Sequence, residues 1–221
     1  RKIDRAISEA TGLPVFVVGV SLGGCIAVHA AERDPSLFRG VILLAPMLSI
    51  DAMAKRGVNR LLVAVAGALS ALVPTLPVAR MPGNNLHPEL QCLCVSVWWE
   101  AAGERGEGSN QPPRLALLFF RWDEDPLCAH FPTRARNAVE YLRATQALGK
   151  RLASVTFPFL AFHGDEDTLT ELAGTVALGE QAASADKAVH VRKGRWHVLT
   201  REPGNEEIRS MIVDWCAARL A

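Results

Sequence analysis

The chain has almost no excess of charge of either sign. Its 24 Lys and Arg residues stand against 23 Asp and Glu residues, which gives a net charge of +1. A protein without a strong field has little to draw nucleic acid or acidic membranes towards it. We therefore expect no nucleic-acid partner.

Cysteines are few, and their spacing suits neither disulfides nor zinc. There are five, an odd number, and the Cys-x-Cys formed by Cys92 and Cys94 has no second pair at metal-binding distance. We expect no metal site, and a reducing, cytoplasmic location fits this pattern best.

Long apolar runs are also absent. The longest uncharged one, residues 61–73, ends before Pro74 and falls well short of the roughly 20 residues that span a bilayer. No transmembrane helix is predicted. The 221 residues, 49% of them hydrophobic, are enough for one elaborated domain with an insertion.

One motif stands out among what is present. Gly19-Val20-Ser21-Leu22-Gly23 follows the apolar run 15–18 and precedes a helix-like stretch. This setting predicts a nucleophile elbow, in which a sharp strand-to-helix turn exposes the Ser21 hydroxyl and flanking glycines let the backbones pass. Leu22 would begin the helix with a backbone N–H free to bind an oxyanion. In a loop, the same pattern would indicate only a flexible turn.

Strands and helices alternate at both ends of the chain. Apolar runs at 41–45, 158–163 and 188–191 predict further strands, and helices are expected at 22–32, at 172–183 and near the C-terminus. The last helix shows one apolar face, formed by Ile208, Met211, Ile212 and Trp215. The pattern predicts an α/β fold whose mostly parallel sheet has helices on both faces.

The alternation stops in the middle of the chain. We predict a helical cap at 51–155, inserted between core segments 1–50 and 156–221. It would hold a helix at 61–73 and a second that Thr133 opens, with Ala138, Leu142, Leu148 and Leu152 at helical spacing. Residues 103–114 predict a mobile loop, and 90–99 fit a strand and a buried helix equally well.

A reactive serine needs a histidine to take its proton and a carboxylate to orient that histidine. In this fold the acid follows a late strand and the base follows the last one, which makes Asp167 and His197 the candidates. Asp165 and Glu166 compete with Asp167, and these acids could equally be solvated or cap a helix. His197 could likewise be a surface histidine.

The remaining candidates have simpler interpretations. His163 is interpreted as a structural residue at a strand end, and Cys25 as a small apolar residue facing the sheet rather than a thiol nucleophile. Four other histidines have no triad context: His29, His87, His130 and His190.

With these residues in place, the chain resembles the monoacylglycerol lipase family of α/β hydrolases. The likeness covers four stretches, which are residues 13–48, 121–144, 157–178 and 191–203, and the turn Asp125-Pro126-Leu127 is similar to the family's cap-to-core stretch. It implies a partial α/β-hydrolase fold with Ser21 as nucleophile, Asp167 as acid, His197 as base and the Leu22 N–H as an oxyanion donor.

The resemblance also implies the reaction. Such an enzyme cleaves long-chain acyl esters through an acyl-enzyme, with a small lipid or ester substrate and no cofactor or metal. The apolar residues 61–73 would then serve substrate entry or peripheral membrane contact, although an ordinary buried cap helix fits them as well.

Two departures from the family pattern matter. Val20 and Leu22 stand where the family often has His and Met, and nothing before Val15 resembles the His-Gly loop that supplies the second oxyanion N–H. We therefore expect the sequence to be the C-terminal part of a longer protein. One missing donor costs about 10²- to 10³-fold in turnover, so we expect this chain alone to be weak or inactive.

Two alternatives to the lipase stay open. One is a non-catalytic ligand-binding module on the same fold, and the other is a peptidase or lactonase with the same triad. The sequence leaves the oligomeric state undetermined.

Overall fold

The computed structural model describes residues 12–55, 57–79, 133–200, 202 and 204–220. Within these ranges, four parallel strands form the main sheet: β1 (Phe16–Val20), β2 (Gly40–Leu44), β5 (Phe159–Gly164) and β6 (Lys187–Arg192). They are ordered β1-β2-β5-β6. Two short strands, β3 (Pro77–Ala79) and β4 (Thr133–Arg134), form a separate antiparallel pair.

Six α-helices accompany these strands in the described ranges. They are α1 (Leu22–Arg33), α2 (Asp51–Lys55), α3 (Gly57–Leu72), α4 (Ala135–Gly149), α5 (Leu172–Gln181) and α6 (Asn205–Ala217).

The two central strands, β2 and β5, are buried along their whole length because helices cover both faces of the sheet. Val41 and Leu43 of β2 pack into one apolar cluster, which Val28 of α1 and Leu178 of α5 also join. The residues that alternate with them point into a second cluster, which Ile208 of α6 completes. Strands that are apolar on both faces need this double cover. The predicted fold class is therefore confirmed.

The carboxyl ends of these parallel strands lie at one edge of the sheet. Ser21 follows β1, the acid turn (residues 164–170) follows β5, and the base turn (residues 193–198) follows β6. The strand register brings together three segments that are far apart in sequence.

The prediction that Thr133 opens a cap helix is wrong. Thr133 and Arg134 are extended and pair with β3, so α4 begins only at Ala135, whose N–H donates to the Leu76 carbonyl at 2.8 Å. Leu152 was expected on the same helix but lies in a separate 3-10 turn, Leu152–Ser154. Backbone pairing in tertiary structure overrides the local helical pattern here.

The cap helix predicted at 61–73 is present, but it begins earlier, at Gly57. At the other end of the predicted cap, Leu148 and Leu152 are buried in the cluster beneath the main sheet. The division into core and cap stays a prediction. The predicted loop 103–114, the ambiguous stretch 90–99, the turn 125–127, His87 and His130 lie outside the described residues.

Candidate active site

Ser21 has the strained backbone that a nucleophile elbow requires. Its φ of 53° and ψ of −124° are unusual for a residue other than glycine. The Ser21 N–H donates to the Leu44 carbonyl at 3.0 Å, and the Ser21 carbonyl accepts from Met47 N–H at 2.8 Å. Hydrogen bonds to the end of β2 and the loop behind it thus hold the turn, and Leu22 begins α1 directly after it.

The glycines around the elbow differ in what they permit. A Cβ at Gly19 would lie 2.5 Å from the carbonyl oxygen of Gly23, and one at Gly24 would collide with the side chain of Pro46. At Gly23, a Cβ would meet no described atom within 4 Å. The close approach expected at Gly19 is confirmed, whereas the second one involves Gly24 rather than Gly23.

Asp167 and His197 form a direct pair. His197 Nδ1 lies 2.8 Å from Asp167 Oδ2, and the Asp167 side chain is fully buried. The other carboxylate oxygen, Oδ1, accepts the backbone N–H groups of Leu169 at 2.7 Å and Thr170 at 3.1 Å. The Thr170 hydroxyl donates to Oδ2 at 2.7 Å. Protein donors therefore contact both oxygens of the buried carboxylate.

These contacts determine the charge of the acid. Burial by itself raises the pKa of Asp167, but hydrogen bonds from His163, His197 and Thr170 outweigh it and hold that pKa well below its usual range. Asp167 is an ionised carboxylate at neutral pH.

The two competing acids have other surroundings. Asp165 Oδ1 accepts the Gly194 N–H at 2.7 Å, and the Glu166 N–H donates to the Arg195 carbonyl at 3.0 Å while the Glu166 side chain is exposed. A Cβ at Gly164 would collide with carbonyl oxygens of the base turn. The acid turn and base turn therefore pack backbone against backbone, which brings Asp167 to His197.

Ser21 lies at the same edge of the sheet, after β1, whereas Asp167 and His197 follow β5 and β6. In the described ranges, His197 forms hydrogen-bond contacts with Asp167 and Thr170, and none with Ser21. The Thr170 hydroxyl lies 3.1 Å from the Ala45 carbonyl oxygen, and Ala45 directly follows the Leu44 carbonyl that binds the Ser21 N–H. The acid is thus linked to the elbow through the end of β2.

Several residues around the pair were not identified from the sequence. Trp196 is buried, and its backbone N–H donates to Glu202 Oε2 at 2.9 Å while its indole N–H donates to Thr168 at 3.1 Å. Burial raises the pKa of Glu202. The sequence does carry a signal for Thr170, because a threonine three residues after an aspartate often takes part in a turn held by side-chain–backbone hydrogen bonds.

Three other reactive side chains have different surroundings: Cys25, His29 and His190. Burial, with a smaller effect of Glu32, raises the pKa of the Cys25 thiol to about 11, which disfavours a thiolate. His29 contacts the Ala144 carbonyl, and His190 stacks on Phe162 with ring centroids 5.1 Å apart. No three His, Cys, Asp or Glu side chains of the described part of the chain converge as metal ligands.

A family profile described as Serine aminopeptidase, S33 matches residues 2–204. The chain is 27% identical over 218 residues to a monoacylglycerol lipase of Mycolicibacterium smegmatis, covering 99% of this chain and 67% of the relative. It is 25% identical over 211 residues to a monoglyceride lipase of Rattus norvegicus, covering 95% and 60%. The chain thus spans about three fifths to two thirds of the length of these relatives.

Solved structures agree with the fold. The crystal structure of a Paleococcus ferrophilus monoacylglycerol lipase superposes with a TM-score of 0.71 at 26% identity, covering 99% of this chain and 74% of that one.

The elbow geometry predicts opposite outcomes for two neighbouring glycines. Gly24→Ala should destabilise the chain by about 1–3 kcal/mol, because the added methyl group collides with the rigid Pro46 ring. Gly23→Ala, on the same helix, should leave stability unchanged or raise it by about 0.5–1 kcal/mol. Urea unfolding of the two variants checks this, and equal loss of stability in both would contradict the packing described.

Proposed function

The chain belongs to the serine aminopeptidase S33 family and is a monoacylglycerol lipase-like α/β hydrolase, and from this premise we propose that it cleaves long-chain acyl esters through Ser21, His197 and Asp167. The observation that carries the proposal is the 2.8 Å contact between His197 Nδ1 and Asp167 Oδ2, at the sheet edge where the strained Ser21 also lies.

The proposed reaction follows from these roles. The Asp167 carboxylate accepts a hydrogen bond from the Nδ1–H of His197 and stays ionised, which leaves Nε2 as the base that takes the Ser21 proton. Ser21 Oγ attacks the ester carbonyl, and the Leu22 N–H stabilises the oxyanion that forms. His197 then returns the proton to the leaving alcohol. A water molecule, activated in the same way, attacks the acyl-enzyme and releases the fatty acid.

An apolar cavity supports an acyl-chain substrate. It has a volume of about 140 Å³, lies between α2, α3 and α4, and includes Met53, Leu69, Ala138 and Leu142 in its lining. Ile50, also in the lining, lies three positions after Met47, whose N–H binds the Ser21 carbonyl. An acyl chain could therefore enter this cavity while its ester group lies near the elbow.

A non-catalytic ligand-binding module is the second candidate function. It is favoured by the hydrogen-bond contacts that His197 makes within the described part of the chain, which are with Asp167 and Thr170 rather than with Ser21. Separately, the family description names an aminopeptidase, so a peptidase or lactonase with the same three residues is tested by comparing ester, peptide and lactone substrates.

Labelling with a fluorophosphonate probe tests the catalytic proposal. Labelling detects the reactive serine itself and does not require full turnover. It therefore suits a chain in which Leu22 is the one oxyanion donor proposed among the described residues. Ser21→Ala should abolish labelling, and Asp167→Asn should slow it by about 10⁴-fold because the tautomer of His197 is lost.

The matched control is Asp165→Asn, in the same turn, which keeps an oxygen for the Gly194 N–H and should label at close to the parent rate. Undiminished labelling after Ser21→Ala would rule out the proposed nucleophile, and no labelling of the parent chain would favour the binding module.

The acyl-chain cavity is tested by filling it. Ala138→Phe projects a ring into the cavity and should slow labelling by a dodecyl fluorophosphonate about 10- to 100-fold relative to the ethyl probe, because the long chain loses its apolar contacts. Gln146→Phe, at an exposed position of the same helix, is the control. An unchanged preference between the two probes in Ala138→Phe would show that the chain binds elsewhere.

We further propose that α3 contacts membranes peripherally. Leu61 and Leu72 of this helix are 70% and 81% exposed, and such apolar side chains can enter a lipid surface. In the part of the chain that the structure describes, no helix has the length and apolarity to cross a bilayer. The cytoplasmic location stays a prediction from the sequence.

Leu61→Asn should weaken cosedimentation with phosphatidylcholine vesicles about 3- to 10-fold, since it removes an apolar side chain from the contact. Val213→Asn on α6, where the side chain is 65% exposed, is the control and should bind like the parent chain. Equal binding by both variants would contradict a role for α3.

A further inference from the structure

A second histidine contacts the acid. His163, near the end of β5, is fully buried, and its Nε2 lies 3.3 Å from Asp167 Oδ2 and also 3.3 Å from the Thr170 hydroxyl. This is the same oxygen that His197 binds. The other ring nitrogen of His163, Nδ1, lies 2.7 Å from the hydroxyl of Thr175 on α5, which is also fully buried. Thr175, His163 and Asp167 therefore form a continuous row of polar contacts that leads away from His197.

The chemistry of this row selects one tautomer of His163. If Nδ1 carried the proton, the lone pair of Nε2 would face the carboxylate of Asp167 and would compete with it for the one hydroxyl proton of Thr170. The Thr175 hydroxyl proton would also lack an acceptor among the side-chain hydrogen bonds of the described residues. With the proton on Nε2, Thr175 donates to Nδ1 and His163 donates to Asp167. Each buried polar atom then has a suitable partner.

We propose that His163, held as the Nε2–H tautomer by Thr175, is a positioning residue for Asp167. Its hydrogen bond fixes the carboxylate in the rotamer that presents Oδ2 to His197. This inference rests on the proposed function, because it concerns the acid of the same triad.

The contact also affects the base. A carboxylate that shares Oδ2 with a second N–H donor is a weaker acceptor for His197, and removing that donor should strengthen the attraction between Asp167 and a protonated His197. The acidic limb of the pH–rate profile should therefore move upward when His163 loses its donor.

Other titratable groups surround the pair. They are Asp165 and Glu166 in the acid turn, and Arg195 and Glu202 in and next to the base turn. The test keeps all of them unchanged, so a difference between variants at position 163 does not arise from these groups.

The experiment measures the pH dependence of Ser21 labelling by a fluorophosphonate in the whole chain. His163→Leu removes the donor and should slow labelling at pH 7 about 10- to 100-fold, with the acidic midpoint about 0.5–1 pH unit higher. His163→Gln offers an amide N–H in its place and should stay within about threefold of the parent. Thr175→Val should give an intermediate profile, because it frees the tautomer without removing the ring.

Equal profiles for the parent and His163→Leu would overturn the proposal, as would a folded His163→Gln variant that is as slow as His163→Leu, since that result indicates packing alone. If the leucine variant does not fold, ¹⁵N NMR of the parent imidazoles decides. A protonated Nε2 and an unprotonated Nδ1 on His163 support the proposal, and the opposite tautomer overturns it.

The NMR result does not depend on catalysis, so it separates this inference from the proposed function. Labelling that survives Ser21→Ala would contradict the proposed function but would not affect the predicted tautomer of His163. Labelling that requires Ser21 but is unchanged by substitutions at position 163 would contradict only the inference about His163.

Discussion

The hydrogen bond between His197 and Asp167 depends on two turns that pack together with no room for a side chain between them. A Cβ at Gly164 would collide with the carbonyl oxygens of Arg195 and Trp196, and Asp165 further ties the turns by accepting the Gly194 N–H. Because the turns follow adjacent parallel strands, β5 and β6, the sheet register places them side by side. The acid and base are thus aligned by backbone contacts that do not involve the reacting atoms.

The same close packing removes the Asp167 carboxylate from water. A carboxylate removed from water is strongly disfavoured unless donors replace its hydration. Asp167 has such donors on both oxygens: two backbone N–H groups on Oδ1, and the Thr170 hydroxyl and two imidazoles on Oδ2. His163, which Thr175 contacts in turn, therefore contributes to keeping the buried Asp167 ionised.

Local patterns predicted the parts of this site that depend on neighbours in sequence. The apolar strands and the Gly-x-Ser-x-Gly turn follow from burial on two faces and from backbone geometry. The choice among Asp165, Glu166 and Asp167 depends on which carboxylate contacts the imidazole of His197, and no local pattern records that. The same holds for Gly24, whose constraint comes from Pro46, and for Thr133, whose helical pattern yields to strand pairing with β3. His163 lies near the end of β5, as predicted, but its contact with Thr175 on α5 joins two different elements and has no local sequence signal.

The most direct test of the central claim is to locate the covalent adduct. After reaction of the chain with a fluorophosphonate, tandem mass spectrometry should find a single modified residue, Ser21, because among the described residues this serine combines a strained elbow with a nearby ionised Asp–His pair. An adduct on any other residue, or no adduct under conditions that label a serine hydrolase control to completion, would contradict the account.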